Sequence, residues 1–136
     1  MPSSTTSSEP ARVLIVDDND AMLARASAML STACRVVGTA KEGRAALDSA
    51  AALQPDVIVL DISMPDMTGL EVAAALRAAG STAAVVFLTV HDGPDFVEAA
   101  RSAGGLGYVV KPRLASDLLR AVREARAGRT FPSEPR

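Results

Sequence analysis

Residues 57–67 read VIVLDISMPDM: the four apolar residues 57–60 are followed by Asp61, and Pro65 lies four positions after Asp61. Unbroken apolar runs of this length, bounded by polar residues and proline, are typical of strands buried on both faces of a parallel sheet. Proline cannot donate a ladder hydrogen bond, so the strand is expected to end before it. The stretch therefore predicts a central strand that delivers one carboxylate, Asp61, to a turn.

Two other apolar runs end in charged residues. Residues 13–16 (VLIV) lead into Asp17 and Asp18, and residues 108–110 (YVV) lead into Lys111. In open parallel sheets, functional groups gather beyond the carboxyl ends of the strands. We therefore expect three acids and one lysine to converge at one edge of the sheet.

From residue 12 onward, short β-branched runs alternate with longer stretches whose apolar residues recur at helical spacing. This alternation predicts strands at 13–16, 35–38, 57–60, 84–88 and 107–110. It predicts helices at 20–32, 42–53, 69–79, 94–103 and 114–127. Alternating strands and helices with right-handed crossovers favour an α/β fold. We expect a doubly wound, flavodoxin-like sheet of five parallel strands in the order 2-1-3-4-5, flanked by five helices.

The composition indicates one ordinary soluble domain. The chain has 136 residues and a net charge of -2, which gives no field strong enough to attract nucleic acid or an anionic membrane. A single cysteine, Cys34, cannot form an internal disulfide, and the first residues do not resemble a signal peptide. We expect a cytoplasmic protein with a disordered tail at 1–10, a domain at 11–128, and a C-terminal tail or linker start at 129–136.

The predicted acidic cluster requires a counter-ion. Asp17, Asp18 and Asp61 supply only oxygen ligands, which favours Mg²⁺ over zinc or copper. Mg²⁺ suits phosphate chemistry, and an aspartate can itself be the nucleophile that accepts a phosphoryl group. Asp61 is our candidate nucleophile. The hydroxyl of Thr89 and the ammonium of Lys111, both at strand ends, can bind the added phosphoryl oxygens.

From residue 12 to about residue 128, the chain resembles the receiver domain of a two-component response regulator. The matching segments, in order, are VDD at 16–18, DISMPDMTGLE at 61–71, Thr89, and GYVVKP at 107–112. Segments 87–91 (FLTVH) and 114–118 (LASDL) are similar to receivers that precede a helix-turn-helix domain of the LuxR and NarL kind. The four matching segments in this order are what make the resemblance specific.

The resemblance implies roles for the acidic residues and the lysine. Asp61 would be the phosphoacceptor, and Asp18 and the Ser63 main-chain carbonyl would bind Mg²⁺. Asp17 would act on the metal through a bound water. Lys111 would bind the phosphoryl oxygens. The phosphoryl donor would be a phosphohistidine on a sensor histidine kinase, as in a phosphorelay.

The resemblance also implies a conformational switch. Thr89 and Tyr108 would form the switch pair, in which the threonine moves toward the phosphoryl group and the aromatic ring turns inward behind it. The Lys111-Pro112 bond in the following turn is expected to be cis. The fourth helix, fifth strand and fifth helix would then bind a second copy of the chain or a downstream effector, and no direct contact with nucleic acid or membrane is expected.

Two positions depart from the common receiver pattern. Val90 is branched where a small residue is frequent, and His91 occupies a position that often tunes hydrolysis of the phosphoryl group. Two other functions with the same fold stay open: a docking module independent of phosphorylation, and an aspartate-nucleophile phosphatase. Ser63 weakens the phosphatase hypothesis because such enzymes generally carry a second carboxylate there. A flavin carrier is disfavoured because no phosphate-binding loop follows residue 16.

Overall fold

The computed structural model describes residues 9–91 and 93–132. Within these residues the strands are β1 (Arg12–Val16), β2 (Arg35–Ala40), β3 (Val57–Asp61), β4 (Ala84–Thr89) and β5 (Gly107–Val110). The α-helices are α1 (Asp20–Leu30), α2 (Gly43–Leu53), α3 (Gly69–Ala78), α4 (Pro94–Ser102) and α5 (Leu114–Arg126). All strand pairs are parallel and the order is β2-β1-β3-β4-β5. The predicted fold class is confirmed, with element boundaries shifted by at most two residues.

The register of the sheet decides which side chains meet at its carboxyl edge. Val16 of β1 pairs with Leu60 of β3, so the chain leaves these two strands side by side. Thr89 of β4 pairs with Val110 of β5, which places the segment after β5 next to the end of β4. The polar residues that end the strands are therefore neighbours in space although they are far apart in sequence.

Strand residues alternate between two apolar cores, one on each face of the sheet. On one face Val13, Val59 and Val86 pack with α1 and α5, and on the other Ile58 and Phe87 pack with α2, α3 and α4. Every residue of β3 is buried, as expected for the central strand of a sheet covered on both faces. The strands that lead to the carboxyl edge are therefore packed on both faces.

The packed structure extends beyond residue 128, where we expected a tail or linker to begin. Gly128, at φ +80°, turns the chain back toward the sheet, and Phe131 forms a parallel bridge with Gly107 of β5. Phe131 is only 8% exposed and joins the core that α5 covers. Its amide donates to the Leu106 carbonyl and its carbonyl accepts from the Tyr108 amide, so it satisfies part of the free edge of β5. The chain therefore stays in contact with the sheet through Phe131, where an aromatic side chain meets the open edge of β5.

The described residues begin at Glu9 and end at Pro132. Residues 1–8 of the predicted N-terminal tail lie outside the described residues, as do residues 133–136. Glu9 and Pro10 are exposed. No helix among the described residues has the length and apolar character that a bilayer crossing requires.

Candidate functional site

Asp17, Asp61 and Lys111 form one buried cluster at the carboxyl edge of the sheet. Lys111 Nζ lies 3.0 Å from Asp17 Oδ2 and 3.3 Å from Asp61 Oδ1. Asp17 has no exposed surface and Asp61 is 2% exposed. The structure thus brings together two of the acids and the lysine that the sequence places at three strand ends.

The acidic cluster also has the donor set and the unmet bonding capacity for a divalent cation. One carboxylate oxygen from each of Asp17, Asp18 and Asp61 lies within 4.8 Å of the others, and Asp18 is exposed while its two neighbours are buried. Asp17 Oδ2 and Asp61 Oδ2 are buried and accept no hydrogen bond from the described residues; Lys111 approaches the first as an ion pair, without hydrogen-bond geometry. Buried carboxylate oxygens without donors are costly, and an all-oxygen set favours Mg²⁺. The cluster therefore fits this ion.

The environment of Asp61 makes it a weaker acid than usual. Burial, followed by the charge of Asp17, raises the pKa of Asp61 from 3.8 to about 6, against the opposing effects of Lys111 and the Ser63 amide. Burial by itself would lower the pKa of Lys111, but its close contact with Asp17 and the charges of both acids outweigh burial, and that pKa is raised. At neutral pH the site thus holds the Lys111 ammonium beside an ionised Asp61 carboxylate.

The turn after Asp61 depends on a close approach that sequence reasoning missed. The Ser63 amide donates to Asp61 Oδ1 over 3.3 Å, and the Gly69 amide donates to the Ile62 carbonyl over 2.8 Å. A Cβ atom at position 69 would lie 2.3 Å from the Asp61 carbonyl oxygen, closer than any side chain can come. The sequence pattern predicts Gly69 only as a helix start, and no local pattern shows that the backbone of Asp61 lies against it.

The two predicted switch residues are linked through His91. Thr89, the last residue of β4, is buried, and its hydroxyl accepts a 3.1 Å hydrogen bond from the His91 amide. Tyr108 is also buried, and its hydroxyl donates a 2.7 Å hydrogen bond to the His91 carbonyl. The His91 ring stacks on Phe96 with centroids 4.3 Å apart, while Val90 is 65% exposed. In this structure the tyrosine ring already lies inward.

The turn after Lys111 differs from the expectation. The only cis peptide bond among residues 9–91 and 93–132 joins Phe131 and Pro132, so the Lys111-Pro112 bond is trans and the predicted cis bond is wrong. Residues Lys111–Arg113 form a single 3-10 turn that continues directly into α5. A helical turn is built from trans peptide units, and proline is well tolerated in its first positions. Pro112 therefore opens the helical segment.

Comparisons with known proteins agree with this geometry. A family model described as the response regulator receiver domain matches residues 13–123. The nitrate/nitrite response regulator protein NarL of Escherichia coli (strain K12) is 35% identical over 128 residues, which cover 93% of this chain and 59% of that protein. NarP of the same strain is 39% identical over 127 residues, which cover 92% and 59%. A crystal structure of a LuxR-family two-component response regulator from Aurantimonas sp. SI85-9A1 superposes with a TM-score of 0.85 at 27% identity, covering 90% of this chain and 89% of that one.

The chain spans 59% of the length of NarL and of NarP, so the comparison concerns one domain of those proteins. Receiver domains are signalling modules rather than classical enzymes, and they generally bind Mg²⁺ at an acidic pocket. The match covers four strands and four helices completely, together with β1 from Val13 onward and most of α5. This chain belongs to the family of response regulator receiver domains.

Proposed function

We propose that this domain is phosphorylated on Asp61 by a sensor histidine kinase in the presence of Mg²⁺, and that phosphorylation changes which partner it binds. The observation that carries the proposal is the approach of Lys111 Nζ to within 3.3 Å of Asp61 beside a second buried acid, Asp17. A surface carboxylate with a structural role would not need a buried acid and an ammonium beside it. A phosphoryl acceptor needs both, since charge must be neutralised as the phosphoryl group arrives.

The chemistry follows from the positions of these groups. A carboxylate oxygen of Asp61 attacks the phosphorus of the phosphohistidine, the phosphorus–nitrogen bond breaks, and its electron pair stays with the imidazole of the kinase. Lys111 donates to the phosphoryl oxygens. Asp18, the Ser63 carbonyl and Asp17 through a water would hold Mg²⁺, which supplies further neutralisation of the oxygens. In this proposal the domain catalyses only its own phosphorylation and dephosphorylation.

The response is proposed to pass from the site to the face formed by α4, β5 and α5. Thr89 and Tyr108 lie on the path to that face, and both hydrogen-bond to the main chain of His91. Phe96 of α4, 42% exposed, offers apolar contact area there. A second copy of the chain or a downstream effector would bind this face in the cytoplasm, without direct contact of this domain to nucleic acid or membrane.

Labelling with a small acyl-phosphate donor and Mg²⁺, followed by intact mass measurement, tests the proposal. We expect the gain of one phosphoryl group, lost in Asp61→Asn and retained in Asp48→Asn, which alters an exposed carboxylate on α2. Chelation of Mg²⁺ or the substitution Asp18→Ala should remove most of the label. Labelling of Asp61→Asn to the same extent contradicts the assignment.

The labelling experiment, combined with assays of phosphate-ester turnover and of partner binding, distinguishes the alternative functions. Rapid turnover of small phosphate esters would indicate a phosphatase. Partner binding with no labelling under any condition would indicate a docking module that is independent of phosphorylation. The intact set of Asp17, Asp61 and Lys111 supports the phosphoacceptor.

A further inference from the structure

Asp66 joins the loop that follows Asp61 to the beginning of α2. Its Oδ1 accepts a 2.9 Å hydrogen bond from the Gly43 amide, and its Oδ2 accepts a 3.1 Å bond from the Arg44 amide. These are the first two amides of α2, which have no partner within the helix. Glu42, at the N-cap position, makes no side-chain capping bond. Asp66 therefore caps α2 from a distant part of the chain.

The cap is reinforced by packing and by charge. A Cβ atom at Gly43 would lie 2.8 Å from Met67 Cβ and 2.9 Å from Val72 Cγ2, so the loop lies directly against the start of α2. The hydrogen bonds from the Gly43 and Arg44 amides hold the pKa of Asp66 below its usual value. A carboxylate at a helix N-terminus also gains from the helix dipole.

The tethered loop carries a residue with a proposed role in metal binding. The loop leaves the sheet at Asp61, passes Ser63, and re-enters a helix at Gly69, whose amide bonds back to the Ile62 carbonyl. Asp66 ties the middle of this loop to another element. Without that tie, the loop would keep the bonds of the Ser63 and Gly69 amides but lose its attachment to α2.

We infer that Asp66 is a positioning residue for the cation: by capping α2 it fixes the loop that carries Ser63 relative to the acidic cluster. The inference rests on the proposed function, because it concerns Mg²⁺ at that site. Groups that orient metal ligands typically affect metal affinity about 10- to 100-fold. For Asp66→Ala we expect a loss of about tenfold, at the lower end of that range.

Two further variants separate positioning from simple electrostatics. Asp66→Asn removes the negative charge but keeps one of the two acceptor oxygens, which can still cap one of the two amides, so its Mg²⁺ affinity should fall less than that of Asp66→Ala. Asp66→Glu keeps the charge but adds a methylene group that displaces the carboxylate from the two amides, so it should lose affinity. If charge alone mattered, this order would be reversed.

The experiment is a Mg²⁺ titration of the full chain followed by amide chemical shifts near Asp18 and Lys111, with urea unfolding in chelator as a separate readout. Asp56→Ala is the matched control, because Asp56 Oδ2 also accepts a 2.9 Å bond from a main-chain amide, that of Arg12, at the opposite edge of the sheet. We expect Asp56→Ala to change unfolding but not Mg²⁺ affinity. Three results would each overturn the role of Asp66. The first is a Mg²⁺ affinity that is the same in all Asp66 variants, and the second is an equal loss of affinity in Asp66→Ala and Asp56→Ala. The third is normal affinity in Asp66→Glu together with a loss in Asp66→Asn. Absence of Mg²⁺ binding by the unsubstituted chain would overturn the proposed function instead.

Discussion

The hydroxyl of Tyr108 donates a 2.7 Å hydrogen bond to the main-chain carbonyl of His91. Because the amide of the same residue donates to the Thr89 hydroxyl, a displacement of Thr89 also displaces the acceptor of Tyr108. The Thr89 hydroxyl accepts this bond, so its own hydrogen is available for a further acceptor. The end of β4 and the ring on β5 are therefore linked through the main chain of His91.

Replacing Tyr108 by phenylalanine keeps the buried ring and removes the hydroxyl that donates to His91. We expect the free energy of unfolding to fall by about 1 kcal/mol, the usual net value of one hydrogen bond. Urea unfolding measures this change. The amide shifts of His91 should move as well, and an unchanged His91 signal would show that the bond does not form in solution.

Substituting Lys111 by alanine should separate phosphorylation from the response to it. The variant retains Asp61 and the other acids, so we expect it to accept a phosphoryl group from a small donor. The rearrangement should fail, because no ammonium remains to bind the phosphoryl oxygens. Phosphorylation-dependent amide shifts around Thr89 and Tyr108 are the measurement, and Lys111→Arg, which keeps a positive charge, should recover part of them. Wild-type-like shift changes in the phosphorylated alanine variant would contradict this role.

The raised pKa of Asp61 predicts a dependence of stability on pH in the absence of metal. Its folded-state value of about 6 exceeds the ordinary 3.8, so the folded chain binds this proton more tightly than the unfolded chain does. The contribution of this group to the free energy of unfolding should therefore increase as the pH falls through about 6 and level off near pH 4. Above about pH 6, the Asp61 carboxylate is ionised while buried, and this lowers the free energy of unfolding.

The variant Asp61→Asn isolates this effect. It cannot ionise, so it should be more stable than the unsubstituted chain near pH 7, and the difference should shrink as the pH falls toward about 4. Urea unfolding in chelator at several pH values gives the difference curve. Asp48→Asn serves as the control, since an exposed carboxylate should leave the curve unchanged. Parallel curves for Asp61→Asn and the unsubstituted chain would argue against the raised pKa.

Phe131 should behave as a core residue although it lies near the end of the sequence. Removal of a fully buried phenylalanine side chain typically costs about 3–5 kcal/mol, and for this position at the edge of the core we expect about 2–3 kcal/mol. The loss includes the stacking of the Arg120 guanidinium, whose central carbon lies 5.3 Å from the ring centroid. Thermal and urea unfolding of Phe131→Ala measure it, and Arg129→Ala, an exposed neighbour, should change stability little. Equal stability of both variants would mean that the segment does not pack in solution.

Local sequence patterns were sufficient for the main architecture. Apolar runs such as that ending at Asp61 identify buried strands, because a strand covered on both faces has no polar side chain to place. The alternation of strands with helices then limits the topology, since crossovers are right-handed and connections are short. Strand ends mark one edge of the sheet, and for this reason the sequence alone groups Asp17, Asp61 and Lys111.

Contacts between distant parts of the chain were not predictable in this way. Asp66 caps a helix that begins 23 residues earlier, Gly69 lies against the backbone of Asp61, and Phe131 completes the edge of β5. The trans bond before Pro112 depends likewise on the helical turn that follows it. The sequence by itself determined which segments are buried and which charged groups share an edge, because these follow from hydrophobic periodicity along the chain. Only the tertiary structure decided which residue caps α2, which glycine lies against Asp61 and which side chain covers the edge of β5. These contacts depend on distances of a few ångströms between segments that are distant in sequence, and no local sequence pattern indicates them.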